Sequence, residues 1–353
     1  MRTTAICALA LAGALLTTSA TAAGLFDKTG QAGMTFLKIG PVARAAGMGD
    51  AQTAVSMGAI STFYNPAGLG YLRGRLDATV NRVNWIADIG ITSAAVGVPI
   101  RIGAGSPLAV VAASYVSMDY GTVHGTVIDK DAPDSYREVG TLDPSESVLG
   151  LTLARQFTDK FSLGATAKYV TQTLPWYSTG YIRSDGTAAE VLNSPSPTRQ
   201  WSSVSALVLD AGTMYRTGFG SSVISMSIRN FARRQQYELD GFRLPVTLNI
   251  GVSMDAFDLV PALQRQGHRL TIAADGLHPP DHPEKLALGG EYAFRDMFSL
   301  RGGYDFNCDA RRYSLGAGVK YSVRGVGAAF DYAYSDFGGT LGAVNYFGLS
   351  FSI

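Results

Sequence analysis

Cysteine is nearly absent from this chain of 353 residues, which has only Cys7 and Cys308. Cys7 falls in an N-terminal stretch read below as removable. Cys308 then stands alone, and an intramolecular disulfide framework is excluded. Charge is scarce too: Asp, Glu, Lys and Arg make up 16% of residues, against the roughly 25% usual in soluble domains. The 29 basic and 28 acidic side chains nearly cancel, which removes the electrostatic basis for a nucleic-acid partner. Past the N-terminus no apolar run reaches the roughly 18 residues of a helical membrane span. The four histidines, His124, His268, His278 and His282, fall in no catalytic or metal signature. No nucleophile elbow or phosphate loop occurs. His278-Pro279-Pro280-Asp281-His282 carries metal-ligating residue types, but adjacent prolines hold it extended and it reads as a solvated surface loop. No enzyme activity, cofactor or metal is expected.

Glycine and aromatic rings are abundant instead, with 41 Gly, 17 Tyr and 16 Phe. Glycine at that level suits β-structure with many corners, since it costs about 1 kcal/mol at each helix-interior site. The chain opens with Met1-Arg2, an apolar run over 5–16 and the small-x-small site Ala20-Thr21-Ala22. This pattern predicts a secretory signal peptide over 1–22. Without Arg2, 28 basic and 28 acidic residues remain and the net charge is zero. An exported, cysteine-poor chain without a spanning helix is either a soluble β-protein or an outer-membrane barrel.

Strand alternation separates these two. Over 244–254, Leu244, Val246, Leu248, Ile250, Val252 and Met254 share one face; Pro245, Thr247, Asn249, Gly251 and Ser253 share the other. Tyr313, Leu315, Ala317, Val319, Tyr321 and Val323 likewise alternate with Ser314, Gly316, Gly318, Lys320 and Ser322. Such segments run about ten residues, the length of a tilted membrane strand, where soluble strands average about five or six. About fourteen are found, at 76–85, 89–100, 108–118, 147–157, 161–173, 201–216, 221–230, 244–255, 268–277, 285–294, 297–307, 312–323, 325–334 and 343–353. Long polar connections at 119–146 and 174–200 alternate with tight ones at 158–160, 217–220, 295–296 and 324. External loops and periplasmic turns alternate in this way. The stretch 256–267 is a longer link on the turn side with room for a short helix. The expected fold is all-β, an antiparallel transmembrane β-barrel of about 14 strands over 73–353, with outer-membrane lipid and the barrel-assembly machinery as partners.

Residues 23–72 do not alternate and are small and weakly apolar. A barrel of this size leaves a lumen, so this segment is expected to lie inside it as a hatch. Asn65-Pro66-Ala67-Gly68 is expected to turn the chain into the first strand, because proline fixes φ and biases Asn65 to extended geometry. At this point the chain resembles the PorV/PorQ family, within the wider FadL-like outer-membrane barrels. The likeness rests on Met34-Thr35-Phe36-Leu37-Lys38-Ile39, Ala43-Arg44-Ala45-Ala46-Gly47-Met48-Gly49-Asp50-Ala51 and Tyr64-Asn65-Pro66-Ala67-Gly68-Leu69. Leu288-Gly289-Gly290-Glu291-Tyr292, Leu300-Arg301-Gly302-Gly303-Tyr304 and the closing Phe347-Gly348-Leu349-Ser350-Phe351-Ser352-Ile353 extend it. The resemblance implies a fourteen-stranded barrel with an N-terminal hatch and one of two roles. One is type IX-like protein secretion, binding exported cargo domains. The other is passive uptake of hydrophobic small molecules.

Charges on predicted lumen faces are Lys168, Asp210, Arg216, Arg229, Asp255, Asp275, Lys285, Glu291, Arg301, Asp305, Lys320 and Asp331. They read as an ion-pair network, since each Arg or Lys facing lipid would cost about 2–4 kcal/mol near the midplane. Trp85, Trp176 and Trp201 fall at external strand ends and read as interface aromatics. Trp176, Tyr177 and Tyr181 are also candidate cargo anchors on the 174–200 loop. The remaining predicted lumen positions are mostly Gly, Ser and Thr, which gives a hydrophobic ligand little to bury. That tips the expectation towards the cargo-binding role, with uptake as the alternative.

Overall fold

Period-two segments can bury one face in hydrocarbon only if every backbone N–H and C=O is paired, which closes the sheet on itself. The computed structural model describes residues 32–353 apart from 56, 102–106, 129–132, 179–197, 238–239, 309–310 and 340. The signal-peptide reading at 1–22 lies outside the described residues. The strands are β1 (Asp77–Asn84), β2 (Gly90–Ile100), β3 (Ala109–Asp119), β4 (Val123–Ile128), β5 (Tyr136–Leu142) and β6 (Ser145–Gln156). Next come β7 (Phe161–Ser178), β8 (Thr198–Arg216), β9 (Val223–Phe231), β10 (Gln235–Tyr237), β11 (Asp240–Phe242) and β12 (Thr247–Asp255). The last are β13 (His268–His278), β14 (Lys285–Phe294), β15 (Phe298–Phe306), β16 (Tyr313–Val323), β17 (Val326–Asp336) and β18 (Ala343–Ser352). Fourteen of them form a closed antiparallel barrel, sealed by β1 on β18 from Asp77↔Ser352 to Asn84↔Asn345. The pairs β4–β5 and β10–β11 are separate two-stranded ribbons in the long connections. The stretch 119–146 therefore holds a hairpin where the sequence reads as loop. Residues Ala256–Leu259 and Pro261–Arg265 form short helical turns in the link between β12 and β13. Among the described residues no helix is long and apolar enough to cross a membrane.

The outer face carries the membrane boundary in its register. Tyr115, Leu149, Tyr169 and Leu207 lie side by side across β3, β6, β7 and β8. Two residues further towards the long loops, the same row reads Ser117, Ser147, Thr171 and Ser205. Thr171 and Ser205 share a hydrogen bond at 3.4 Å, and Thr173 and Ser203 another at 3.2 Å. Lipid tails cannot solvate such a hydroxyl row, so the apolar belt ends there. The β7–β8 ribbon continues to Ser178 and Thr198, about 20 Å beyond that edge at strand rise. Exposed Phe157, Tyr215, Phe219, Phe298 and Phe351 ring the short-turn end, as interfacial aromatics do.

This boundary sets a graded cost. Leu151→Arg, mid-belt and 65% exposed, should destabilise the barrel by about 2–4 kcal/mol in urea unfolding from liposomes. Ser147→Arg should cost no more than about 1 kcal/mol. Equal costs would contradict the boundary.

Candidate functional site

The segment before β1 is built from short turns: Thr35–Lys38, Ala43–Ala46, Gly58–Phe63 and Pro66–Tyr71. Ala43, Ala45, Ala46, Met48, Ala59 and Leu69 are all fully buried. Ala43–Ala46 touches β1, β16, β17 and β18, Gly58–Phe63 touches β1, β2 and β3, and Pro66–Tyr71 touches β3, β6, β7 and β8. Contact with strands on every side means that this segment occupies the lumen. Its approach is backbone to backbone. A Cβ on Gly303 would stand 2.1 Å from Gly49 N, and one on Gly164 2.4 Å from the Pro66 carbonyl. Only glycine permits that distance.

Backbone pressed against a wall needs polar partners, and lumen charges supply them. Arg44 grips Glu291 with two bonds, at 2.9 and 2.8 Å. Arg301 reaches the same carboxylate at 2.6 Å and Asp331 at 2.6 Å. Arg311 holds Asp50 at 2.6 Å and Asp305 at 2.5 Å, while Tyr64 donates to Asp50 at 3.1 Å. Asp275 accepts the Thr53 N–H at 2.8 Å. Lys168 pairs with Asp210, which also accepts the Asn230 N–H at 2.8 Å. Asn230 in turn donates to the Leu37 carbonyl at 3.3 Å. Lys38 pairs with Asp281, and His282 Nδ1 lies 3.3 Å from the same carboxylate. Burial alone would raise the Asp281 carboxyl, but Lys38 and then His282 hold it below its ordinary value. A folded value below the unfolded one makes this anchor fully present at neutral pH and lost as pH falls through the depressed value.

Above these charges, towards the long loops, the lumen turns apolar. Val83, Ile91, Met118, Val148, Val170, Ala206, Val208, Val344 and Tyr346 from the wall form one cluster with Met34, Phe36 and Leu37 of the inserted segment. Trp85, Ile89, Val116 and Val204 pack on it. Beside it opens a cavity of about 270 Å³. Leu37, Ile39, Trp85, Leu277, Pro279 and Phe337 line its apolar part, and Asp50, Arg229, Asn230, Asn249, Asp275 and Arg311 its polar part.

Several sequence readings are corrected by this geometry. Gly, Ser, Thr and charge line much of the lumen, as read from sequence, but its loop-side part is an apolar cluster that the sequence reading did not single out. Trp85 is no lipid-interface aromatic; it meets Phe337 edge-on at 5.1 Å inside the barrel mouth. The 278–282 segment is solvated only in part: His278 and Pro280 are exposed, while Asp281 is 2% exposed and paired. Trp176 and Tyr177 continue strand β7, opposite Gln200 and Arg199, rather than sitting in a loop. Their side chains, that of Trp201, and all of Tyr181 lie outside what is described. The Asn65–Gly68 motif does not lead directly into β1. Asn65 is extended at φ −141° and caps the turn Pro66–Tyr71, accepting from Ala67 N at 3.1 Å. Its amide also donates to Thr53 O at 2.9 Å and Thr213 O at 3.1 Å. Of the remaining lumen charges, Arg216 stacks over Tyr71 at 3.9 Å and Arg229 lies 5.7 Å from the Tyr64 ring. Lys320 is exposed at the turn end, and Asp255 caps a turn through Phe257 N at 2.9 Å. Lys38, Arg44, Asp50 and Arg311 complete the network without having been singled out as charges from sequence, and Asp281 joins it although it reads there as part of a surface loop. Among the described residues no group of three or more His, Cys, Asp or Glu could hold a metal.

A closed fourteen-strand barrel with an apolar outer belt and a chain segment in its lumen has the fold of an outer-membrane barrel. Solved structures bear this out at the level of fold. The Ralstonia pickettii toluene transporter TbuX matches with a TM-score of 0.56 at 16% identity, over 89% of this chain and 97% of that one. The Pseudomonas putida toluene transporter TodX matches with a TM-score of 0.57 at 11% identity, over 89% and 96%. A Pseudomonas aeruginosa FadL homologue matches at 0.53 and 14%, over 88% and 96%. No family model matches the chain, and no curated relative does. These neighbours share the fold of this chain, and none of them supports the finer PorV/PorQ resemblance.

Arg301 ties two buried carboxylates together. Arg301→Met should destabilise the folded barrel by about 3–5 kcal/mol, because uncompensated buried charge remains. Adding Asp331→Asn should recover part of that loss. Urea midpoints in liposomes measure both, and an unchanged midpoint for Arg301→Met would show the pair to be idle.

Proposed function

We propose that this chain is a FadL-like passive channel that admits hydrophobic small molecules across the outer membrane, with the segment up to residue 72 as its hatch. The observation that carries the reading is the apolar cluster on the loop side of the lumen, continuous with the cavity. Most of the lumen is polar, but this apolar part gives a hydrophobic ligand surface to bury at about 25 cal/mol per Å². TbuX and TodX, described as toluene transporters, support the same ligand class.

Toluene flux into proteoliposomes tests this. Flux through the wild-type protein should exceed that of empty vesicles. Val170→Thr, which keeps the side-chain shape at a fully buried lumen position facing Ala206, should reduce flux several-fold. Val170→Asp should nearly abolish it. Heat-modifiable gel migration confirms folding of each variant. Wild-type flux no greater than that of empty vesicles would overturn the reading.

The hatch has its own test. Asn65 is 0% exposed and spends both ends of its amide on backbone. Asn65→Ala should leave the heat-modifiable band intact while raising leakage of a small polar dye across the outer membrane. Unchanged leakage would mean that the segment is held without it.

A further inference from the structure

The short-turn end of the barrel carries a charge that the chain as a whole does not. Over 72–77, 100–101, 155–161, 216–222, 255–269, 294–298 and 320–326 stand eleven Lys and Arg against five Asp. Beyond residue 22 the chain has 28 basic and 28 acidic residues, so the excess is one of placement. Most of the five carboxylates are engaged by the protein itself. Asp77 accepts the Ala59 N–H at 2.7 Å, Asp255 the Phe257 N–H at 2.9 Å and Asp258 the Ser221 N–H at 2.5 Å. Asp296 pairs with Arg269 at 3.0 Å, and Asp159 stays exposed beside Lys160. Four of the cations stand where the lipid-facing strand residues end. Arg155 follows exposed Leu149, Leu151 and Leu153 on the outer face of β6. Lys160 precedes Phe161 and Leu163 of β7, Arg295 follows Phe294 of β14, and Arg324 follows exposed Tyr321 and Val323 of β16. All four are exposed, and none forms an ion pair or donates a side-chain hydrogen bond among the described residues. Arg155 Cζ lies 5.3 Å from the Phe157 ring and Arg295 Cζ 5.0 Å from the Phe294 ring. A guanidinium stacked on a ring uses its face and keeps its N–H edge free.

The depth of these groups identifies their partner. A cation one residue beyond the hydrocarbon lies in the layer that holds the phosphates of membrane lipids, and a guanidinium matches a phosphate with two parallel N–H···O bonds. A zwitterionic headgroup brings its own ammonium into that layer and gains less from a positive rim than a headgroup of net negative charge. A soluble acidic partner would approach the turns from below, whereas Arg155 stands on the outer wall in line with leucines. We propose that the short-turn rim is a binding surface for anionic phospholipid, with the phosphates held by Arg155, Lys160, Arg295 and Arg324 and the acyl chains lying on the apolar wall. This is independent of what crosses the lumen and requires only that the short turns face the phospholipid leaflet of the outer membrane.

The test reads the lipid shell around the full chain in proteoliposomes of phosphatidylcholine. Trace spin-labelled phosphatidylglycerol or phosphatidylethanolamine is added, and the motionally restricted fraction of each is measured by electron paramagnetic resonance. Phosphatidylglycerol should be preferred about fivefold at low salt. The preference should fall towards one at about 1 M salt, where the Debye length is roughly 3 Å. A quadruple variant, Arg155→Gln, Lys160→Gln, Arg295→Gln and Arg324→Gln, should bring the low-salt ratio near one while keeping heat-modifiable migration. A wild-type ratio near one at low salt would overturn the proposal. A preference that survives in the folded quadruple variant would overturn it too, by placing the anion elsewhere on the wall. Retention of poly-glutamate by the liposomes without any preference for phosphatidylglycerol would overturn it in favour of a soluble acidic partner. If the quadruple variant fails to fold, the wild-type ratio and its salt dependence decide.

Discussion

Hydrocarbon offers backbone amides no hydrogen bonds, and every other feature of the molecule follows from that constraint. The sheet must close, and β1 meets β18 residue for residue so that no edge remains. Closing fourteen strands fixes a width that wall side chains cannot fill. The N-terminal segment occupies the space. That segment has too few residues in regular structure to satisfy its own backbone, so the wall must do it. The buried charges of the lumen are therefore placed by the inserted chain's needs: Asp275 for Thr53 N, Asp210 and Asn230 for the turn near Leu37, Arg311 for the Gly49 carbonyl. Wall glycines at 164, 289 and 303 belong to the same constraint, since a side chain there would strike the inserted backbone.

The strands were legible because each lies between two different solvents. Where the faces differ in polarity, as over 244–254 or 313–323, alternation registers them to within a residue or two. Legibility fails where both faces are apolar. In β8, Ala206 and Val208 point inward while Leu207 and Leu209 point to lipid, and the run carries no period to separate them. Val148 beside exposed Leu149 and Val170 beside exposed Tyr169 are masked in a similar way. That is why the lumen reads as polar in sequence: only its polar positions stand out against the pattern.

The partners of the lumen charges were illegible for another reason. Arg44 and Glu291 are 247 residues apart, and Asp50 and Arg311 are 261 apart. Small residues without period carry no signal for which wall they will touch. A charge on a strand shows its face, but not whether its partner is another strand or the inserted chain. Asp281 shows the limit most plainly. Its flanking prolines suggest an extended, wetted loop, whereas Lys38 draws it over the barrel mouth.

The apolar cluster and the charge network meet at the cavity, and their meeting constrains how the lumen can work. Met34, Phe36 and Leu37 belong both to the cluster and to the segment that Lys38 and Asp281 tie down. A ligand that buries apolar surface there competes with the segment's own side chains for the same wall. The network sets the cost of yielding. Bidentate and shared ion pairs at Arg44, Glu291 and Arg301 lie deep and are costly to break, while the Lys38–Asp281 pair lies at the mouth with Lys38 partly exposed. Movement is therefore cheapest at the mouth end of the segment, next to the cavity, and most costly at its middle. A segment graded in this way can give ground to a ligand locally without releasing the whole lumen.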